Sequence, residues 1–344
     1  MSQPTPPLPA DDVQLLQQAG EAYARLKTEI GKVIVGQDDI VTALLAAIFA
    51  EGHALLVGVP GLAKTLLVKT LAEVLDWDFN RIQFTPDMMP ADIIGMELLQ
   101  EQAEGKRGMS FVPGPIFANI ILADEINRTP PKTQAALLEA MQERQVTSMG
   151  KRHLLAPPFV VVATQNPIEQ EGTYPLPEAQ LDRFMLSLYL DYPDVEQEEQ
   201  IVMETTAGLR TAANPMPTGG FITKDQFIAM QALVRRLPAS KHIVSYAVAL
   251  ARATRPNSAA ASEVAQQYVE WGAGPRAGQH MVLLGKALAL MHGQPAVTSD
   301  HIRQAAPHVL RHRILPNFQA AGEGITAGDI VERIVSEISE PSYA

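Results

Sequence analysis

The sequence predicts an α/β protein in which helices sandwich a parallel sheet, followed by a smaller all-helical domain. In the first half of the chain, short apolar runs alternate with helical patterns, which is typical of parallel strands buried on both faces. Proline and glycine then cluster within residues 193–220, and only helical periodicities follow them. We therefore expect a core over residues 11–192, a linker over 193–220 and a helical domain over 221–344.

The predicted strands are apolar runs that are each followed by a glycine or a polar residue. They are Ala54–Val57, Asn80–Phe84, Asn119–Ala123, Phe159–Thr164 and Met185–Leu190. Helical patterns in the core cover Asp11–Ile30, Lys64–Leu75 and Pro131–Arg144. The helices predicted for the C-terminal domain are Lys224–Leu237, Ile243–Ala253, Gln279–Met291, Ser299–Leu310 and Ala327–Ile338. We expect the proline-rich residues 1–10 to form a disordered tail.

Two segments of the core interrupt the alternation of strands and helices. Residues 94–117 contain four glycines and do not fit a simple crossover helix. Residues 145–157 place Met149 and Gly150 between short alternating arms, which predicts a β-hairpin inserted before a core strand.

Composition excludes several classes of protein. The chain has no cysteine, which removes disulfides, thiolate metal sites and cysteine nucleophiles. Its net charge of −11 argues against a protein whose main task is to coat nucleic acid. The longest apolar stretch, Ile40–Ala50, is about half of the ~20 residues that a membrane span needs, and residues 1–10 lack the features of a signal peptide. We expect a soluble, cytoplasmic protein without a membrane span.

A phosphate-binding loop follows the first predicted strand. Glycine backbone N–H groups can converge on an anion there, and the N-terminus of the next helix adds its dipole. Lys64 is expected to neutralise the β- and γ-phosphates of ATP, and the hydroxyl of Thr65 to reach Mg²⁺. Ala63 stands where the strict pattern has glycine, so a Cβ has to fit at that position. The expected nucleotide-binding residues are Gly58, Val59, Pro60, Gly61, Leu62, Ala63, Lys64, Thr65 and Leu66.

Polar residues end two later strands. Asp124 and Glu125 follow a buried strand about sixty residues after the loop. Asp124 is expected to hold the Mg²⁺ shell, and Glu125 to polarise the attacking water. Asn166 ends the next strand and is a candidate to orient that water or contact the γ-phosphate, with an ordinary Asn-Pro turn as the alternative.

In this order the motifs resemble Walker A, Walker B and sensor 1 of the AAA+ ATPases, a branch of the P-loop NTPases. Longer segments resemble the MoxR family specifically, and the similarity runs almost unbroken from Val35 to Pro193. These segments are Gly58–Thr65, Asp124–Lys132, Leu137–Gln145, Ala163–Ile168 and Glu171–Phe184, with a weaker match at Gly272–Ala277.

The resemblance implies further roles. Arg183 matches the arginine finger that reaches a neighbouring subunit, and Arg276 matches sensor 2 of a helical lid. Arg128 lies where interface arginines occur, with a surface salt bridge as the alternative. The two interruptions match an insert in the helix after the second strand and a hairpin before sensor 1, which in related rings face the pore. A homo-oligomeric ring, a hexamer in related proteins, is therefore expected.

The function implied by the resemblance is hydrolysis of ATP to ADP and phosphate with Mg²⁺. Members of the family are associated with von Willebrand factor A domain proteins and with maturation of target complexes. We therefore expect a chaperone-like remodelling factor that acts on a client protein together with such a partner. The alternatives are a nucleic-acid-dependent motor, which the acidic charge disfavours, and the motor subunit of a metal chelatase.

Overall fold

The computed structural model describes residues 8–101, 107–169, 172–206 and 220–340. Its centre is a five-stranded parallel sheet, which confirms the predicted class. The strands are β1 (Ala54–Val57), β2 (Phe79–Gln83), β3 (Gly95–Glu101), β4 (Arg107–Pro113), β5 (Ile120–Asp124), β6 (Gln145–Ser148), β7 (Lys151–Leu154), β8 (Val160–Gln165), β9 (Leu186–Tyr189), β10 (Val269–Trp271) and β11 (Leu315–Pro316). The central sheet has the order β2-β5-β8-β1-β9, so β1 lies inside it and β2 at one border.

Helices cover both faces of the sheet and form most of the C-terminal domain. They are α1 (Ala10–Gly31), α2 (Asp38–Phe49), α3 (Lys64–Leu75), α4 (Pro90–Ile94), α5 (Pro131–Glu143), α6 (Glu178–Leu181), α7 (Val195–Thr206), α8 (Lys224–Arg236), α9 (Lys241–Ala253), α10 (Glu263–Tyr268), α11 (Pro275–Met291), α12 (Ser299–Leu310), α13 (Phe318–Glu323) and α14 (Ala327–Glu337). A short 3-10 helix, Ile126–Arg128, follows β5. Over the described residues, no helix combines the length and apolar character needed to cross a bilayer.

Alternate residues of the three inner strands β1, β5 and β8 face two separate hydrophobic cores. Leu56 of β1 and Leu122 of β5 belong to one core, and their neighbours Leu55 and Ile121 belong to the other. Burial on both faces accounts for the continuous apolar runs of these strands, because neither face leaves a solvent-exposed position for a polar residue.

The first of these cores continues into the C-terminal domain. Phe227 of α8 is fully buried and stacks on Phe49 of α2 with ring centroids 4.5 Å apart. Its edge also meets Trp77 at 4.9 Å. Helix α1 packs against α2 and α3 of the first part of the chain and also against α8 and α11 of the C-terminal domain. The two parts of the chain therefore share one apolar core.

The structure corrects three details predicted from sequence. The C-terminal domain is not entirely helical, because β10 and β11 form one short antiparallel pair in it. The insert over residues 94–117 contains the antiparallel hairpin β3–β4. Most of the predicted tail, residues 1–7, lies outside the described residues, and α1 already begins at Ala10.

The predicted linker over residues 193–220 contains helix α7, so it is not simply a connecting loop. Asp194 caps this helix, because its carboxylate accepts a hydrogen bond from the N–H of Gln197. In return, the amide oxygen of Gln197 accepts from the N–H of Asp194. This reciprocal pair is a capping box, a signal that was present in the sequence. The rest of the predicted linker, residues 207–219, lies outside the described part of the chain.

The hairpin predicted over residues 145–157 is confirmed as β6–β7. Met149 and Gly150 form its turn, and both have positive φ. Phe111 of β4 stacks on His153 of β7, with centroids 3.7 Å apart, so the two hairpins contact each other.

We expect Phe227→Ala to lower the free energy of unfolding by about 3–5 kcal/mol, because it removes the ring that fills the core between the two parts of the chain. Urea denaturation measures the loss. Phe318→Ala is the matched control, since the Phe318 side chain is 93% exposed and its removal should change stability by less than about 0.5 kcal/mol. Equal effects of the two variants would contradict a shared core at Phe227.

Candidate functional site

The phosphate loop connects β1 to α3 at the carboxyl edge of the sheet, where the parallel strands end. Strands β5 and β8 end at the same edge, which places Asp124 and the segment that contains Asn166 near the loop. Ligands of open α/β sheets bind outside the carboxyl ends of the strands. The fold therefore brings the expected phosphate-loop, acidic and amide residues to one edge.

Backbone conformation explains the residue types of the loop. Gly61 has φ +91° and open space where a Cβ would stand. Ala63, directly before α3, has the left-handed conformation at φ 54° and ψ 21°. An alanine in this region is strained by about 1–2 kcal/mol relative to right-handed backbone, whereas glycine is not. The Cβ of Ala63 is exposed, so the departure from the glycine pattern adds backbone strain without a packing clash.

Lys64 turns back onto the loop. Its ammonium donates hydrogen bonds to the carbonyl oxygens of Gly58 and Val59. Partial burial lowers the pKa of Lys64 from its ordinary value, and the carboxylates of Asp124, Glu125 and Glu169 oppose that shift. A charged, partly desolvated donor at a helix N-terminus suits a phosphate group.

Asp124 is buried at the end of β5 and accepts hydrogen bonds on both carboxylate oxygens. The hydroxyl of Thr164 donates to Oδ1 at 2.6 Å. Arg81 of β2 donates to Oδ2 from Nε at 3.0 Å and from Nη2 at 2.7 Å. The carboxylate is therefore fixed from two neighbouring strands, β8 and β2.

Glu125 follows in a left-handed conformation with φ 57° and ψ 50°. Its carboxylate accepts hydrogen bonds from Gln83 at 2.8 Å and Arg128 at 2.9 Å. Its backbone N–H donates to Thr164 at 2.9 Å. Arg128, a candidate interface arginine, thus forms an ion pair inside its own chain and also lies 3.7 Å from Glu169.

Asn166 is buried one residue beyond β8, and its side-chain oxygen accepts a hydrogen bond from the N–H of Ile168 at 3.1 Å. This Asx turn fixes the side chain at the carboxyl edge. Thr65 lies in the first turn of α3, directly after Lys64, and Leu66 after it is 40% exposed.

A cavity of about 730 Å³ adjoins the phosphate loop. Its lining includes Gly36, Gln37, Pro60, Leu62, Tyr192 and Gln197. Gln37 donates to the carbonyl of Leu62 at 3.4 Å, while its side-chain oxygen is buried without a hydrogen-bond partner. A buried acceptor without a donor fits an amino group of a nucleotide base. The carboxylate and hydroxyl oxygens of Asp124 and Thr65 are the donor type that Mg²⁺ prefers, so the residues present fit a magnesium nucleotide.

Sequence reasoning missed several residues of this site. Gln37, Arg81 and Gln83 belong to no phosphate-loop or acidic-strand motif, and only the fold brings them to the site. Thr164 lies within the segment Ala163–Ile168, but the motif predicts no role for its hydroxyl. The parallel register pairs Gln83 with Asp124, and this pairing is the signal that could have found Arg81 and Gln83.

Arg183 and Arg276 lie at the other end of the strands, where the chain enters β1 and β9. They line a cavity of about 230 Å³ together with Arg144 and Arg235, which we call the arginine cavity. Glu51 and His53, which directly precede β1, line it too. The structure therefore does not bring Arg183 or Arg276 to the phosphate loop of their own chain.

Two carboxylates form ion pairs with three arginines of the arginine cavity. Glu51 pairs with Arg144 at 2.6 Å and with Arg235 at 3.4 Å. Asp182 pairs with Arg276 at 2.9 Å. Within the part of the chain that the structure describes, Arg183 forms no ion pair.

Asp182 also holds the buried Arg313, whose Nε donates to its carboxylate at 2.7 Å. Burial lowers the pKa of Arg313 to about 10, while the hydrogen bond to Asp182 raises it. Arg313 further donates to the carbonyls of Phe184 and Met185. The segment that carries Arg183 is thus bound to the C-terminal domain through Asp182, Arg276 and Arg313.

The motif around Arg276 has a structural reason for its first glycine. A Cβ at Gly272 would collide with the backbone of Thr254 and Arg255. Pro275 then opens α11, and Arg276 follows in its first turn. Close packing at Gly272 therefore fixes where α11 begins and where Arg276 emerges.

Comparison with known proteins agrees with this geometry. The model of the ATPase family associated with various cellular activities (AAA) matches residues 53–186, and the model of the AAA lid domain matches residues 261–334. Chaperone MoxR1 of Mycobacterium tuberculosis is 38% identical over 313 residues, which cover 91% of this chain and 81% of that protein. This chain belongs to the MoxR family of AAA+ ATPases.

Further relatives extend the match over most of the chain. Protein MoxR of Methylorubrum extorquens is 30% identical over 305 residues, 86% of this chain and 88% of that protein. The crystal structure of a candidate ATPase from Cytophaga hutchinsonii has a TM-score of 0.85 and 38% identity, covering 96% of this chain and 98% of that one. The MoxR family resemblance predicted from the motifs is confirmed, and the C-terminal domain corresponds to the AAA lid.

We expect Ala63→Gly to raise the free energy of unfolding by about 0.5–1 kcal/mol, because glycine relieves the left-handed strain before α3. Urea denaturation without nucleotide measures the change. Ala232→Gly is the control, since Ala232 is an exposed alanine inside α8 and its replacement should lower stability by about 1 kcal/mol. A loss of stability in Ala63→Gly would contradict the assignment of strain to Ala63.

Two histidines near the arginine cavity predict a dependence of stability on pH. Burial lowers the pKa of His280 from 6.5 to about 3, and that of His53 to about 4. His53 accepts from the N–H of Val161 and donates to the carbonyl of Met141, a pattern that needs a neutral ring. Between pH 6.5 and 4 the unfolded chain therefore binds protons that the folded chain does not. The free energy of unfolding should therefore decrease as the pH is lowered through this window, by up to about 1.4 kcal/mol per pH unit for each histidine.

His280→Gln tests this dependence. Between pH 7 and 5.5, the variant should lose about 1 kcal/mol less stability than the natural protein, because one proton-binding group of the unfolded chain is absent. Urea denaturation at the two pH values gives the difference. The same pH dependence in both proteins would show that His280 is not neutral in the folded chain.

Proposed function

We propose that this MoxR-family protein hydrolyses ATP with Mg²⁺ and works as a homo-oligomeric ring, a hexamer, in which each site is completed by a neighbouring chain. One observation carries the proposal. Lys64, Asp124, Glu125 and Asn166 share the carboxyl edge of the sheet, whereas Arg183 lies at the opposite edge without an ion pair among the described residues. A site with its arginine at the far edge needs a second chain to supply that arginine.

Each residue at the carboxyl edge has a separate part in hydrolysis. Thr65 and Asp124 are the residues that would hold Mg²⁺, which would neutralise negative charge on the phosphates of ATP. Lys64 leaves the carbonyls of Gly58 and Val59 to bind phosphate oxygens. Glu125 polarises the attacking water, which requires its carboxylate to leave Gln83 and Arg128. Asn166 orients that water.

The neighbouring chain contributes Arg183 and Arg276 from its arginine cavity. A guanidinium stabilises negative charge that develops on the phosphoryl oxygens. Within the described part of the chain Arg183 has no ion pair to break, so it can bind the phosphate directly. Arg276 is held by Asp182 and connects the same edge to the lid. The carboxyl edge of one chain would then contact the arginine edge of the next, which is a head-to-tail interface. Such an interface closes into a ring when the rotation between successive chains allows it.

Hydrolysis in such a ring would serve the remodelling of a client protein, together with a von Willebrand factor A domain partner. Two features support this role. A relative with 38% identity is named a chaperone. The hairpins β3–β4 and β6–β7, which contact each other, expose large apolar side chains at Leu99, Met109 and Met149. Flexible methionines suit a surface that has to contact varied apolar segments.

Mixing of two inactive variants tests the shared site. Glu125→Gln removes the water-polarising carboxylate and Arg183→Ala the arginine finger, and each should lower ATP turnover at least about a hundredfold. In an equimolar mixture, about a quarter of the sites pair an intact Glu125 with an intact Arg183 from the next chain, so about a quarter of the turnover should return. Turnover per chain should also rise with protein concentration.

Arg252→Ala is the matched control, because Arg252 is an exposed arginine of α9 outside the proposed site and its loss should leave turnover unchanged. Absence of activity in the mixture would contradict completion of the site by a neighbour. Full activity of Arg183→Ala alone would contradict the role of Arg183. Stimulation of turnover by single-stranded DNA would favour a nucleic-acid motor over a protein remodeller.

A further inference from the structure

Arg81 forms an ion pair with Asp124, the carboxylate that is proposed to bind Mg²⁺. It lies on β2, the border strand of the sheet, and its side chain is 48% exposed. Both Nε and Nη2 donate to one oxygen of Asp124, at 3.0 and 2.7 Å, and Nη2 also donates to Gln83. A charge-assisted contact through two nitrogens is stronger than a neutral hydrogen bond.

Asp124 is buried, so its negative charge depends on this contact for compensation. The residue is only 7% exposed, and its other oxygen is bound by the neutral hydroxyl of Thr164. A buried carboxylate without a cation has a large desolvation cost. Lys64, the other cation of the site, bonds instead to carbonyl oxygens of the phosphate loop. In this state the guanidinium of Arg81 is thus the cation in direct contact with Asp124 among the described residues.

Mg²⁺ and Arg81 would compete for the same negative charge. Asp124 carries one unit of charge, and two cations bound to one carboxylate repel each other. Arg81 can leave without burial of an unpaired charge, because nearly half of its side chain already contacts solvent. Asp124 cannot leave, because β5 and Thr164 hold it.

We propose that Arg81 is a positioning residue that neutralises Asp124 in the absence of metal and yields to Mg²⁺ when the nucleotide arrives. The contact lowers the affinity of the empty site for the metal, so Mg²⁺ enters together with ATP rather than before it. This inference rests on the proposed function, in which Asp124 serves Mg²⁺. A purely structural role of Arg81 at the border of the sheet would leave metal affinity unchanged.

Metal titration tests the competition by binding and needs no hydrolysis. The full-length protein is mixed with a fluorescent, non-hydrolysable ATP analogue, and Mg²⁺ is added until the fluorescence change is half complete. Arg81→Gln should lower the half-saturating Mg²⁺ concentration by about three- to tenfold, because the competing cation is gone. Arg81→Lys, which keeps the charge but not the forked contact, should fall between the two.

Lys69→Gln is the matched control. Lys69 lies on α3, is more than half exposed and pairs with Glu73 at 3.7 Å, so the variant removes one positive charge without contact to Asp124. Its half-saturating Mg²⁺ concentration should equal that of the natural protein. Direct binding of Mn²⁺ without nucleotide, followed by electron paramagnetic resonance, should be tighter in Arg81→Gln than in the natural protein.

An unchanged or higher half-saturating Mg²⁺ concentration in Arg81→Gln would overturn the inference. Thermal unfolding checks that this variant is folded. If it is not folded, the same measurement on Arg81→Lys decides. Asp124→Asn separates this failure from failure of the proposed site. If nucleotide binding in Asp124→Asn still depends on Mg²⁺ as in the natural protein, Asp124 does not bind the metal. That result would contradict both the metal role of Asp124 in the proposed function and the inference about Arg81.

Discussion

Parallel alignment of the five central strands is the constraint on which the rest of the structure depends. Every strand runs in the same direction, so all polar residues that follow a strand gather at one edge and all residues that precede a strand gather at the other. The phosphate loop and the two acidic residues therefore share an edge. Arg183, which precedes β9, is excluded from that edge by the length of the strand, whatever its own conformation.

Much of the fold could be predicted because its strands are buried on both faces. Strand β1 and helices α3 and α12 have the predicted bounds, since apolar runs and a clear helical period leave little ambiguity. Helix α7 was missed because the prolines and glycines around it dominate the composition of its neighbourhood. The hairpin β3–β4 was recognised only as an interruption, because its consecutive residues Leu98 and Leu99 are both apolar and both exposed, so the strand lacks a clear apolar alternation.

The candidate site divides in a similar way. Lys64, Asp124 and Glu125 could be predicted because each belongs to a local motif with a chemical reason. Arg81 and Asp182 could not, because each acts through a partner distant in sequence: 43 residues separate Arg81 from Asp124, and 131 separate Asp182 from Arg313. Only the register of neighbouring strands and the packing of the lid bring these pairs together. Sequence motifs thus identify the groups that are proposed to bind phosphate, and tertiary structure identifies the residues that hold those groups in place.

Asp182 gives the arginine edge an unusual mechanical property. It is the residue directly before Arg183, and its carboxylate is bound to one arginine at the start of α11 and another just after α12. The backbone carbonyl of Asp182 accepts from Arg313 as well. Arg183 is therefore anchored to two ends of the lid rather than carried on a free loop. In a ring, the contact between this arginine and the phosphate of a neighbouring subunit would transmit force to the lid through Asp182. Release of that phosphate would then change the position of the lid in a chain whose own nucleotide has not changed.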